Sequence, residues 1–302
     1  MIVDDAVGGG VVGVSTLYHL AKKGWDDVVL VERRELTSGS TWHAAGLLPL
    51  FNMSYSVGQI HKYSVNLYQK LEEETGQAVG LRQVSNIRLA CTEDRMDEYR
   101  FYTGVAKTIG VDVRNLTPVE VKQVWPLCNT EGLIGAIQHP DDGYIQPADL
   151  TQALAIGARN LGAEIYRNTT VTAIQATTDG DWCVETDQGE IVCQHVVSAS
   201  GNFARKTGAM VGLDVPVIPV EHQFIVTEPH PDIVARQKEG LPEMGVLRDS
   251  DASFYLREEN GGLVLGPYEK GAPCCYVDGP VSYTHLRAHE TDSYLVCRLL
   301  LE

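Results

Sequence analysis

Gly8-Gly9-Gly10-Val11-Val12-Gly13 and, after it, Val28-Val29-Leu30-Val31-Glu32 are the stretches that decide the fold. The first contains the pattern G-x-G-x-x-G. Val11, Val14, Leu17, Tyr18, Leu20 and Ala21 then recur with helical spacing, and Gly24 ends the run. The unbroken apolar run at 28–31 reads as a parallel strand buried on both faces, closed by Glu32. Together they form a β-α-β unit of about 30 residues. Glycines at these positions let the backbone approach a pyrophosphate, and the helix N-terminus adds partial positive charge. Glu32 follows Gly13 by 19 residues, close to the separation from which a carboxylate reaches an adenosine ribose. Asp4-Asp5 fit this unit badly. Charges where the first strand should be apolar carry a desolvation cost.

The next segment bears on which dinucleotide is held. Glu32-Arg33 runs into Thr37-Ser38-Gly39-Ser40-Thr41-Trp42-His43-Ala44-Ala45-Gly46-Leu47 rather than into a second crossover helix. A loop of small and hydroxyl residues suits a long flavin dinucleotide lying along the protein.

Composition removes several alternatives. The chain has 302 residues, of which 44% are hydrophobic and 21% charged, ample for a packed core and against wholesale disorder. No run of about 18 apolar residues occurs, so no membrane span is expected. A net charge of −16 repels phosphate backbones and argues against a nucleic-acid partner. The seven cysteines show no CxxC spacing, so neither a disulfide framework nor a metal site is expected. That usage and the lack of a signal-peptide pattern suggest a cytoplasmic protein, or one of the mitochondrial matrix if eukaryotic.

Downstream, the pattern predicts helices at 56–75, with Ile60, Tyr63, Leu67 and Leu71 on one face, at 92–109, and at 149–161. Thr117-Pro118-Val119-Glu120 is a capping box. Residues 139–147 read as loop. Strands are expected at 84–90, 163–166, 171–176, 182–186, 190–193, 196–199, 217–227, 254–257 and 263–265, with tight turns at Asp179-Gly180 and Gln188-Gly189. Residues 281–302 resemble translated adapter sequence and are expected to be a non-native tail.

Several segments in order carry a resemblance. GGGVVGVSTLYHLAKKG, VERRELTSGSTWHAAGLLP, HPDDGYIQPADL, VVSASGNFARKTGAMVGL, PVIPVEHQFIVTEP and LRDSDASFYLREENGGLVLGPYE resemble the FAD-dependent amine oxidoreductases of the dimethylglycine and sarcosine dehydrogenase type, from Gly8 to Pro280. The resemblance implies an α/β fold: a Rossmann-like FAD domain of the D-amino-acid-oxidase class with an inserted mixed-sheet substrate domain. The expected division is 1–50 and 146–214 for FAD, 51–145 as a helical substrate part, and 215–280 as the substrate sheet. The resemblance also implies that the last flavin-binding segment and a folate-binding region lie downstream of Pro280.

On this basis His43 is the expected covalent FAD anchor, a role open to a nucleophilic neutral imidazole. The expected FAD contacts are Gly8, Gly9, Gly10, Gly13, Glu32, Arg33, Gly39, Ser40, Thr41, Trp42, His43, Ala44, Ala45, Gly46, Leu47, Val171, Gly201 and Phe203. His222 and Tyr255 are the expected catalytic residues, with His222 on a strand face shared with Val220, Phe224 and Val226. Arg88, Arg248 and Arg257 are candidates for a substrate carboxylate. The implied reaction is hydride transfer from the N-methyl carbon of a small amine to the flavin, with the electron acceptor open. Oxidation of another amino or hydroxy acid, or a non-catalytic regulatory homologue, stand as alternatives.

Overall fold

β1 (Asp4–Val7) leads through the glycine loop into α1 (Val11–Lys22), and β2 (Val28–Glu32) returns beside it. β3 (Leu47–Leu48) precedes the long α2 (Tyr55–Thr75). Then follow β4 (Asn86–Ala90), α3 (Glu93–Ile109), β5 (Arg114–Leu116), α4 (Pro118–Val124), β6 (Gly135–His139) and β7 (Gly143–Tyr144). α5 (Pro147–Asn160) opens a run of strands, β8 (Glu164–Arg167), β9 (Val171–Ala176), β10 (Trp182–Thr186), β11 (Gly189–Cys193) and β12 (His195–Ser198). After α6 (Ala204–Met210) come β13 (Ile225–Val226), α7 (Pro231–Lys238), β14 (Val246–Asp249), β15 (Phe254–Glu259) and β16 (Gly262–Pro267). The computed structural model describes residues 4–274, so the tail expected at 281–302 lies outside the described residues.

The first sheet is parallel, in the order β12-β1-β2-β8. Its central strand explains the unbroken apolar run. Val28 and Leu30 pack with Val14, Leu17 and Tyr18 of α1 and with Leu150 and Leu154 of α5. Val29 and Val31 pack on the opposite side against Ile174 and Val184 of the three-stranded sheet β11-β10-β9. Asp4 and Asp5 do extend β1, with partners on both sides: Val28 and Val29 on β2, His195 and Val196 on β12. The strand forms in spite of the two acids because its backbone pairs on both edges.

The second sheet has seven strands in the order β13-β16-β15-β14-β4-β6-β5. Its strands come from 86–139 and 225–267, so two separate stretches of chain meet at the parallel pair β4–β14. One face is apolar: Ile87, Leu89, Leu247, Phe254, Leu256 and Leu263 pack against Val121 and Trp125 near α4 and Ile233 of α7. Alternation puts Asn86, Arg88, Arg248, Tyr255 and Arg257 on the other face. At its β4–β6 end that face is covered by Tyr99, Tyr102 and Ala106 of α3, which pack on Ala90 and Ile137.

Several expectations change. The strand expected at 217–227 shrinks to β13, with only an isolated bridge from Val220 to Cys274 before it. Pro216 and Pro219 interrupt the segment, and neither can donate to a ladder. The loop expected at 139–147 contains β7, which pairs with β3. On α2, Leu67 and Leu71 are buried, but Ile60 and Tyr63 are exposed. Gly58 faces inward instead, against the side chain of Ile109. The capping box stands as read: Thr117 Oγ1 accepts from Glu120 N, and the Glu120 carboxylate accepts from Thr117 N.

Candidate flavin and substrate site

The glycine loop is shaped by close approach. A Cβ on Gly13 would lie 2.0 Å from the carbonyl oxygen of Gly8, so α1 rests directly on the end of β1. Gly8 has φ of 121°, a conformation that favours glycine. Gly9 lies against Glu32, whose carboxylate accepts from Gly9 N at 2.6 Å and from Arg34 N at 2.9 Å. No side chain caps α1 at Gly10, but Thr41 Oγ1 accepts from Val11 N at 3.0 Å. The loop after β2 is therefore fastened to the helix start that a pyrophosphate would face.

Two adjoining cavities meet at this loop. One is lined by Gly8, Gly9, Gly10, Glu32 and Arg33, then Gly39, Ser40, Thr41 and Ala44, and by Gly201 and Phe203. The other continues past Val31 and Glu32 to Val171 and Lys206, again bounded by Arg33 and Phe203. The Arg33 guanidinium lies 3.9 Å over the Phe203 ring. Most of the expected cofactor contacts are thus brought together from four separate stretches of chain. Gly13 stands behind the loop. Trp42 and His43 are exposed, and the His43 ring sets Nδ1 3.1 Å from Gly39 O. Ala45 and Gly46 lead away into β3, which begins at Leu47. The glycine cradle, the carboxylate at its rim and the long cavity fit an adenine dinucleotide such as FAD.

His222 and Tyr255 meet through a third residue, Tyr268. Tyr255 is buried on β15 with its ring 5.8 Å from that of Tyr268. Burial pushes its phenol up from the usual tyrosine value. His222 approaches the same ring edge-on at 5.6 Å, and its Nδ1 lies 3.5 Å from Glu269 Oε2. His222 is not on a strand, contrary to the alternation argument, because β13 begins only at Ile225. Its place is fixed by Tyr268 and Glu269 instead. Tyr268 was not singled out in the sequence. The only signal was its position two residues after Gly266, on the far side of the strand end.

Of the three arginine candidates, Arg257 is committed elsewhere. It pairs with Glu259, donates to Glu258 O at 3.1 Å and stacks on Tyr144 at 4.4 Å. Behind Arg88 lies a buried polar group. His139 is held down to about 3 by burial and, next, by the charge of Arg88. Asp142 is pushed up to about 8 by burial, although its Oδ1 accepts from Leu50 N at 2.9 Å. Cys91, Asp249 and Asp251 come together on the other side of the sheet, with Asp249 accepting from Asp251 N and Ala252 N and Asp251 pairing with Arg95. These are turn and ion-pair roles.

Comparison with known proteins agrees with this geometry. Residues 7–295 match the family model described as DAO, FAD dependent oxidoreductase. The chain is 46% identical over 263 residues to the mitochondrial dimethylglycine dehydrogenase of Rattus norvegicus, covering 87% of this chain and 30% of that protein. It is 38% identical to the mitochondrial sarcosine dehydrogenase of Homo sapiens, covering 87% of this chain and 28% of that protein. The chain thus spans about a third or less of the length of these relatives. The crystal structure of L-proline dehydrogenase from P. horikoshii superposes with a TM-score of 0.77 at 26% identity, over 90% of this chain and 71% of that one. Glycine cradle, parallel sheet, mixed second sheet and sequence match agree: the chain belongs to the FAD dependent oxidoreductase family and has its α/β fold.

Proposed function

We propose that this protein oxidises a small N-methyl amino acid, such as dimethylglycine or sarcosine, with FAD as the hydride acceptor. Under this reading residues 1–50 and 146–214 hold the cofactor, and residues 51–145 and 215–280 shape the substrate side. The observation that carries the reading is the meeting of His222 and Tyr255 at Tyr268, on the sheet face that also carries Arg88 and Arg248. The 46% identity to a dimethylglycine dehydrogenase supports the substrate class.

Bound FAD would supply an electron-poor ring that accepts a hydride. The chain's own residues do the rest. The Gly8–Gly10 amides and the start of α1 receive the pyrophosphate. Glu32 would meet the adenosine ribose, and Arg33 with Phe203, stacked at the cavity edge, would hold the adenine end. His43 would be the residue to anchor the ring covalently. Its Nδ1 hydrogen donates to Gly39 O, which leaves the lone pair on Nε2. An amine yields hydride only when unprotonated, so a proton acceptor beside it is required. His222 fills that role, with Glu269 at its Nδ1 favouring an Nε2 acceptor. Tyr255, whose phenol burial pushes up from its usual value, stands against Tyr268, the ring that His222 also meets.

The test is anaerobic mixing of the FAD-loaded protein with candidate donors, read as bleaching of flavin absorbance. Dimethylglycine or sarcosine should bleach it fastest. Faster bleaching by glycolate or by L-proline would overturn the N-methyl amine assignment in favour of a hydroxy acid or a cyclic amino acid.

A further inference from the structure

We propose that Glu269 is a positioning residue for His222: its carboxylate keeps the imidazole hydrogen on Nδ1 and so leaves Nε2 as the proton acceptor. This deepens the amine-oxidation reading and rests on it. Sheet geometry does not set His222, because β13 begins only at Ile225. The segment after β16 sets it instead. Glu269 opens a tight turn in which Ala272 N donates to Glu269 O at 3.4 Å, with Gly271 in the left-handed region at φ of 79°. That turn sends the chain back along residues 220 and 221. Glu221 N donates to Pro273 O at 3.0 Å, and Val220 bridges Cys274. His222 is thereby brought beside both residues at the start of the turn, with the Tyr268 ring at 5.6 Å and Glu269 Oε2 at 3.5 Å from Nδ1. Tyr268 is itself tied down: its N donates to Ser253 O at 2.8 Å, and its ring meets that of Tyr255 at 5.8 Å.

The pairing is exclusive. Among the described residues no other carboxylate lies within ion-pair distance of His222, and no other basic group lies within that distance of Glu269. It is not a device for holding the fold together. The two side chains are 39% and 37% exposed, and an ion pair that open adds little to stability. A carboxylate beside Nδ1 has two chemical effects. It selects the tautomer, since the hydrogen settles on the nitrogen that faces the negative charge. It also offsets charge during proton transfer. The N–H bond of the substrate ammonium breaks, the proton passes to Nε2, and the electron pair stays on the amine nitrogen. The imidazolium so formed already has an anion at its other nitrogen. His222 is the group that meets the amine, and Glu269 acts only through it.

The experiment uses the FAD-loaded protein and reads two quantities. The first is the tautomer of His222, from the nitrogen chemical shifts of the histidine rings, with His222→Gln identifying the signal. The parent should carry the hydrogen on Nδ1. Glu269→Ala should move it toward Nε2, whereas Glu269→Gln, whose amide oxygen still accepts, should hold it on Nδ1. The second quantity is anaerobic flavin reduction by dimethylglycine. Glu269→Ala should lower the limiting rate by roughly 10- to 100-fold, approaching the loss in His222→Gln, and Glu269→Gln should fall between parent and Ala. The dimethylglycine concentration giving half the limiting rate should scarcely change. In a His222→Gln background, Glu269→Ala should cost nothing further, because the two residues act as one unit. Glu269 is exposed, so these variants should melt with the parent. An unmoved tautomer in Glu269→Ala, or an additional loss of rate in the double variant, would overturn the assignment. If no N-methyl amine reduces the flavin while the tautomer still follows Glu269, the amine reading falls and the positioning pair stands.

Discussion

Tyr255 lies directly across Gly266 on the neighbouring strand, so close that a Cβ at position 266 would come 2.0 Å from Tyr255 Cζ and 2.3 Å from its hydroxyl. The glycine is required for space rather than for backbone conformation. It lets the phenol ring lie down on the sheet, with its edge toward Tyr268. Gly266→Ala should lift that ring at a cost of about 1–3 kcal/mol, as overpacking usually does. The rate of flavin reduction should fall with it while flavin content holds. Calorimetry and stopped-flow reduction measure the two. A variant with parental stability and rate would show that the Tyr255 position is not set by this contact.

His222→Gln and Tyr255→Phe should each slow flavin reduction by roughly 10²-fold or more, the usual scale of acid–base contributions. FAD content, read from the ratio of flavin to protein absorbance, should scarcely change. Parallel loss of flavin and rate would assign both residues to packing.

The cofactor cradle is tested at Gly13. A methyl group there meets Gly8 O at 2.0 Å, a contact between backbone atoms that cannot rotate away. Gly13→Ala should push α1 off β1 and leave most of the purified protein without FAD. Equilibrium dialysis against FAD measures the lost affinity, and parental affinity would mean that this helix start does not face the pyrophosphate.

His43 is the proposed anchor. Acid denaturation of the parent protein should leave yellow fluorescence on the polypeptide in a gel, and His43→Ala should abolish it while retaining dissociable FAD. Flavin that washes out of the denatured parent would remove the covalent assignment.

Asp142 gives stability a definite pH dependence. In the fold it keeps its proton to about pH 8, whereas an unfolded aspartate releases it near pH 4. Its folded value is raised, so its contribution is full below about pH 4 and lost as pH rises to about 8. Asp142→Asn keeps the acceptor for Leu50 N and does not titrate. The melting temperature of this variant should exceed that of the parent by a margin that widens from about pH 4 to about pH 8 and then levels. A constant difference across that window would mean that Asp142 is ionised in the fold. His139 acts in the opposite sense: its value is lowered to about 3, so its contribution is present above about pH 6.5 and fades on acidification.

The sequence by itself determined the first sheet and its loop. Gly8, Gly10, Gly13, the apolar run at 28–31 and Glu32 are close in the chain, and their spacing maps directly onto strand, helix and turn. The helices at 55–75, 93–109 and 147–160 were legible for the same reason, since cap and period are local signals. What faces what was not local. Ile60 and Tyr63 share a spacing with Leu67 and Leu71, yet only packing against α5 and Ile109 decided which side of α2 was buried. β14 ends in two adjacent charged residues, Arg248 and Asp249, and becomes a strand because β4, 160 residues earlier, pairs with it. The same long-range pairing sets Arg88 beside Arg248 and Tyr255, and the end of β16 brings Tyr268 between Tyr255 and His222. Periodicity reports which way a side chain leaves its own strand. Which side chains become neighbours depends on strand order and register, and those are fixed only when distant segments bury their apolar faces together.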